Sequence, residues 1–151
     1  MEHVKVQISR VRPDTDADLP LPAAMSLHAA GVDLLAAINE SVTMKPGERR
    51  LVPTGFGIAL PEGYEGQVRP RSGLVLKQGL TVANAPGTID SDYRGEVQVI
   101  LLNLGDRPVT IRRGDRIAQL VVAPVARPLW DEVSELPPSA RGQGGFGHTG
   151  D

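Results

Sequence analysis

The chain has 0 Cys in 151 residues. Disulfides, thiolate metal sites and a cysteine nucleophile are therefore excluded. Aromatic residues make up only 3%, too few for a platform that stacks successive bases of a single strand. Charge is nearly balanced, with 16 Lys+Arg against 18 Asp+Glu and a net charge of -2 at pH 7. No global basic field points to nucleic acid. No apolar run is long enough to span a bilayer, and the opening MEHVKVQISRV lacks an apolar signal-peptide core. The expectation is a soluble, cytoplasmic protein that binds neither membrane nor nucleic acid. His3, His28 and His148 show no ligand spacing, and no HExxH or Ser-His-Asp signature occurs. The segment GQGGFG is no Walker loop, because no Lys-Ser/Thr follows it.

Glycine and proline are plentiful, 17 and 13 residues. Both interrupt regular structure, so short elements and frequent turns are expected. Val4, Val6 and Ile8 alternate with Lys5, Gln7 and Ser9, the period of a half-buried strand. Pro-rich PDTDADLPLP then reads as an ordered loop. Further strands are expected at Val32–Ala37, Glu48–Val52, Phe56–Leu60, Gly66–Val68, Leu80–Val82, Glu96–Asn103, Val109–Ile111 and Ile117–Val122. Gly-Asp-Arg occurs at Gly105–Arg107 and again at Gly114–Arg116, which reads as similar turns in successive hairpins. One helix is expected over Gly73–Gln78, capped by Ser72 and closed by a left-handed Gly79. Many short strands with one short helix predict an all-β, jelly-roll-like distorted barrel or sandwich. It should occupy residues 1–125 of a single-domain unit. From Ala126 to Asp151 the strand period is lost, and this stretch reads as a C-terminal arm.

Some segments have residue types suited to chemistry. PRSGL, Pro70–Leu74, sets a fixed cation and a hydroxyl at a helix start, where phosphate is favoured. An ordinary cap beside a surface arginine would look the same. In NAPGTIDSDYRG, Asn84–Gly95, Asp90 follows apolar Ile89 and could serve as a general base or hold a sugar hydroxyl. Tyr93 could pack against a ligand ring, whereas a bare hairpin tip with a solvated Asp is the alternative. Asp33 is the one carboxylate in AGVDLLA, and a buried carboxylate needs a cation. That partner is either an arginine or a metal. Gln119 is the one neutral polar residue in an apolar run and could simply satisfy a backbone group. RGQGGFGHTG, Arg141–Gly150, carries one of only 2 Phe residues.

In their order, AGVDLLA, PRSGL, NAPGTIDSDYRG, RGDRIAQLV and RGQGGFGHTG resemble the five motifs of the trimeric dUTP pyrophosphatases, from Ala30 to Gly150. The resemblance implies Mg²⁺-assisted hydrolysis of dUTP to dUMP and pyrophosphate on a homotrimeric jelly-roll. Such an activity keeps uracil out of DNA and supplies dUMP for thymidylate synthesis. Active sites in that family lie between subunits. By the same resemblance Asp90 orients the attacking water, and Tyr93 packs under deoxyribose. Asn84, Gly87, Thr88, Ile89 and Gln98 read the uracil edge. Arg71, Ser72 and Gly73 cradle phosphate, with Ser72 at the bridging oxygen. Asp33 and Gln119 steady Mg²⁺ through water, and Gln119 also faces substrate. Arg141, Phe146, Gly147, His148 and Thr149 form a lid, with Phe146 on uracil and Arg141 at the γ-phosphate.

Gln78 stands where family members often have His. The related dCTP deaminases place a catalytic Glu in the strand after the hairpin, and here Ile100 occupies that place. A non-catalytic binding protein on the same fold would have lost Asp90 or the terminal motif, and both are present.

Overall fold

The computed structural model describes residues 3–145. In chain order its strands are β1 Gln7–Arg10, β2 Gly31–Leu35, β3 Val42–Met44, β4 Arg49–Ala59 and β5 Tyr64–Arg69. After helix α1, Ser72–Gln78, come β6 Leu80–Val82, β7 Gly87–Ile89, β8 Glu96–Asn103, β9 Val109–Ile111 and β10 Arg116–Pro124. Two antiparallel four-stranded sheets, ordered β1-β4-β8-β6 and β2-β10-β5-β7, share one core, and β3 pairs with β9. The all-β, jelly-roll-like expectation holds, although neither sheet closes into a barrel.

Strand β8 shows how sequence sets the core. Val97, Val99, Leu101 and Asn103 point inward, while Glu96, Gln98 and Ile100 face outward. Val99 and Leu101 are fully buried, each contributing about 1.5–3 kcal/mol. Asn103 is equally buried but satisfied: its Nδ2 donates to the Met44 and Arg107 carbonyls at 3.0 and 2.8 Å. The PDTDADLPLP loop is fastened by buried Asp16, which accepts hydrogen bonds from Arg12 and Arg113, each at 3.0 Å.

Several expectations are corrected. Glu48–Val52 and Phe56–Leu60 are one strand, β4, because a register shift between Pro53 and Gly57 absorbs the residues that read as a break. Strand β3 carries no alternation long enough to be read locally, and its partner β9 lies far along the chain. Ser72 is not the helix cap. Arg71 holds that position in extended backbone with no side-chain cap bond, and Ser72 is the first helical residue. The expected left-handed Gly79 is found, at φ 68°, its N–H turned back on the Val75 carbonyl. The two Gly-Asp-Arg turns do not join hairpins, since β8, β9 and β10 pair with other strands rather than with one another. Nor is Asn84–Gly95 a plain hairpin tip. It leaves β6 in one sheet, pairs with β5 of the other through β7, and returns to β8. That crossing positions the site.

Candidate active site

Sheet register places Asp33 of β2, Gln119 of β10 and Arg69 of β5 in one row. The chain then turns through Pro70 and Arg71 into α1. Asp33 Oδ1 accepts from Arg71 Nε at 3.1 Å, and Oδ2 lies 3.4 Å from Arg116 Nη1. Gln119 Nε2 donates to the Pro70 carbonyl at 2.9 Å. Asp33 thus has the cationic partners that a sheltered carboxylate needs. Each carboxylate oxygen is engaged, and two guanidinium groups against one carboxylate leave the local balance positive. Ser72 and Gly73 are exposed beside it at the start of α1. Arg71 and Arg116 line a cleft of ≈ 290 Å³. Arg116 escaped the sequence reading, although its place in RGDRIAQLV is the signal that could have marked it.

Asp90 is the first residue beyond β7. Ile89 is buried beneath it against β5, where it pairs with Gly66, so Asp90 emerges on the surface of the crossing segment. The Tyr93 N–H closes the turn on the Asp90 carbonyl at 3.1 Å. Arg94 Nη1 ties it from outside, donating to the Ser91 and Tyr93 carbonyls at 2.7 and 2.9 Å. Tyr93 is 44% exposed, and its hydroxyl donates to the Glu96 carbonyl at 3.0 Å. Asn84, Thr88, Ile89, Asp90, Tyr93 and Gln98 line a single cleft of ≈ 190 Å³. Gly87 lies buried in β7 behind it. Gln98 faces the cleft because β8 alternates, burying Val97 and Val99 on the opposite side.

The structure thus gathers the residues expected to read base and sugar. Of the residues expected to cradle phosphate, Arg71 lines the other cleft, and Ser72 and Gly73 follow it at the start of α1. Arg141 is exposed, its Nε donating to the Gly144 carbonyl at 2.6 Å. Phe146, Gly147, His148 and Thr149 lie outside the described residues. Among the described residues no group of three or more His, Cys, Asp or Glu could hold a metal ion.

Sequence reasoning also missed Glu96 and Arg12. Arg12 meets the Glu96 carboxylate with both terminal nitrogens, at 3.1 and 2.7 Å. The Glu96 hydrogen bond holds the Arg12 guanidinium above its ordinary value, although partial burial opposes it. The pair spans 84 residues, so no local pattern announced it.

A β-sandwich with a cationic helix start on one cleft and an Asp-Tyr turn flanked by amides on another defines a class: β proteins suited to a phosphorylated compound bearing a ring. The dUTPase family model matches residues 17–150. The chain belongs to the dUTPase family. It is 62% identical over 136 residues to the deoxyuridine 5'-triphosphate nucleotidohydrolase of Methylocella silvestris, covering 89% of this chain and 85% of that protein. A mutant dUTPase of Staphylococcus bacteriophage 80alpha, solved with dUpNHpp, superposes with a TM-score of 0.85 at 26% identity, covering 97% of this chain and 99% of that one. A mutant dUTPase of phage phi11 of S. aureus, in which a structural Mg(II) ion is described, shares the fold at 24% identity and TM-score 0.76, covering 89% and 99%.

Proposed function

We propose that this chain hydrolyses dUTP to dUMP and pyrophosphate. One observation carries the reading to the site. A cleft of ≈ 190 Å³ beside Asp90 collects an aromatic ring and two amide side chains, Tyr93, Asn84 and Gln98, in a chain of the dUTPase family.

Uracil would sit against Asn84, the β7 backbone at Gly87–Ile89, and Gln98. A rigid backbone edge rejects thymine's methyl by overlap, which discriminates better than a merely unfilled space. Tyr93 would pack under deoxyribose and leave no room for a 2′-hydroxyl. Asp90 would take a proton from water as its oxygen attacks the α-phosphorus. As that P–O bond forms, the bond from the α-phosphorus to the bridging oxygen breaks, and pyrophosphate leaves with the electron pair. Ser72 would donate a hydrogen bond to that oxygen, while Arg71 and the amide of Gly73 hold the phosphates. Stabilising developing charge with prepositioned donors is where most of the rate gain arises.

The donor set fits magnesium that arrives with the triphosphate. Both Asp33 oxygens face arginines, so Asp33 and Gln119 would reach the ion through water rather than bind it directly. Magnesium would supply neutralisation of the phosphate charge. The protein's part is to hold Arg71 and Pro70 in place beside it.

A homotrimer with shared sites would bring one subunit's Arg71 to another's Asp90, which line separate clefts within a chain. The arm, residues 126–151, would extend to a neighbour and cover its nucleotide with Arg141 and Phe146. Leu129, Trp130 and Leu136 of that arm are 97%, 87% and 80% exposed, more apolar surface than a solvated tail gains from. No helix among the described residues is long and apolar enough to cross a membrane, and we place the activity in the cytoplasm. There it would lower dUTP before polymerases use it and release dUMP for thymidylate synthesis.

The test is pyrophosphate release from dUTP with Mg²⁺, beside dTTP, dCTP and UTP. Selective turnover of dUTP by a particle of trimeric mass is expected. Comparable turnover of dTTP, or none of dUTP, would defeat the reading.

A further inference from the structure

Tyr93 is the ring on which the proposed sugar selectivity depends, yet it is not part of the core. It is held instead from two sides. Beneath it lies Gly95, where a Cβ would run into the tyrosine ring and hydroxyl. At its tip the hydroxyl donates to the backbone carbonyl of Glu96 at 3.0 Å. The ring's placement is therefore only as firm as the backbone at Gly95–Glu96, where the crossing segment ends and β8 begins.

That backbone is fixed through the Glu96 side chain, which is only 13% exposed. Oε1 accepts from Arg12 Nη2 at 2.7 Å and from the Gly55 N–H at 2.8 Å, and Oε2 accepts from Arg12 Nη1 at 3.1 Å. Gly55 lies within the register shift of β4, where the ladder to β8 is interrupted between Pro53 and Gly57. Glu96 thus replaces missing ladder bonds at the place where the segment carrying Asp90 and Tyr93 rejoins the sheet. Arg12 is steadied in turn. Its Nε donates to buried Asp16 at 3.0 Å, and Asp16 also accepts from Arg113 at 3.0 Å. A charge-assisted, two-pronged arginine–carboxylate contact fixes orientation as well as distance.

We propose that Arg12, acting through Glu96, is a positioning residue that sets the height of the Tyr93 ring and thereby the preference for deoxyribose over ribose. Arg12 lines neither the ≈ 190 Å³ cleft nor the ≈ 290 Å³ one, so its effect would be indirect. The inference rests on the proposed dUTP hydrolysis. It adds to that reading a residue from the N-terminal loop, outside every motif that carries the resemblance.

The experiment compares Arg12→Gln, Arg12→Lys, Glu96→Gln, Tyr93→Phe and the Arg12→Gln/Tyr93→Phe double variant with the parent. The ratio of kcat/KM for dUTP to that for UTP should fall roughly three- to tenfold in Arg12→Gln and Glu96→Gln, the size of one net hydrogen bond. Arg12→Lys should recover part of the ratio. The double variant should lose no more than Tyr93→Phe alone, because both changes release the same ring. A ratio unchanged in Arg12→Gln, or additive losses in the double variant, would overturn the proposal.

A second arm does not need turnover. The chain has 2 Tyr, so Tyr64→Phe leaves Tyr93 as the one tyrosine for NMR of its ring. In that background Arg12→Gln should shift the ring signals while β-sheet signals stay in place, and unmoved ring signals would refute the coupling. An inactive parent with this shift intact would overturn the proposed activity but not the mechanical link.

Discussion

Asp33 and Arg71 lie in different segments of the chain, yet their side chains meet at 3.1 Å, carboxylate Oδ1 to guanidinium Nε. The carboxylate is 13% exposed and the guanidinium side chain 27%. A half-sheltered pair of this kind aims its arginine rather than adding much stability. With Gln119 holding the Pro70 carbonyl, it fixes the start of α1, where Ser72 and Gly73 follow.

This relationship makes a prediction about magnesium. Asp33→Asn removes the charge that aims Arg71 and Arg116. It should lower kcat/KM for dUTP by roughly tenfold, the scale of one charge-assisted hydrogen bond. The Mg²⁺ concentration giving half-maximal rate should move less than KM does. Steady-state rates at varied dUTP and varied Mg²⁺ check both.

Asp90→Asn keeps the shape and exposure of the side chain but cannot take a proton from water. General-base loss typically costs about 10²–10⁴-fold in rate. Affinity for a non-hydrolysable dUTP analogue, measured calorimetrically, should stay close to the parent's. Normal turnover in this variant would mean that another group activates the water.

Truncation after Ala140 removes the proposed lid, and among the described residues it touches no strand or helix, since β10 ends at Pro124. The shortened chain should keep the parent's thermal midpoint and trimeric mass by light scattering. Its kcat/KM should fall by at least about tenfold, in line with the loss of one base–aromatic stack. Full activity would leave the arm without a catalytic role.

Acid should weaken the PDTDADLPLP loop. Arg113 donates to both Asp18 oxygens, at 3.0 and 2.7 Å, and that hydrogen bonding holds the Asp18 carboxyl below its ordinary value. A carboxyl more acidic in the folded than in the unfolded chain adds stability above its unfolded pKa of about 3.9. The contribution disappears as pH falls through the lower, folded value. The thermal midpoint of the parent should therefore exceed that of Asp18→Asn at pH 7, and the gap should close below roughly pH 4. A gap that widens in acid would contradict the assignment.

What could be read in the sequence was local. The apolar-rich run Glu96–Asn103, followed by the turn residues Leu104-Gly105-Asp106, indicated a strand, and β8 occupies that span. Gly79 announced the end of α1, because only its backbone takes the left-handed turn cheaply. The ordered motifs named the family and nominated Asp90, Tyr93, Arg71 and Ser72. Tertiary structure decided what depends on sheet order and register. It paired β6 with β8 around Asn84–Gly95, as a hairpin would, but carried the segment between them across to β5 of the other sheet. It gave Asp33 two arginine partners, Arg71 and Arg116, and moved the helix cap from Ser72 to Arg71. It also joined Arg12 to Glu96 across 84 residues. Propensity and periodicity act over a few neighbours in the chain, whereas a carboxylate's partner is whichever cation the folded sheets bring within reach.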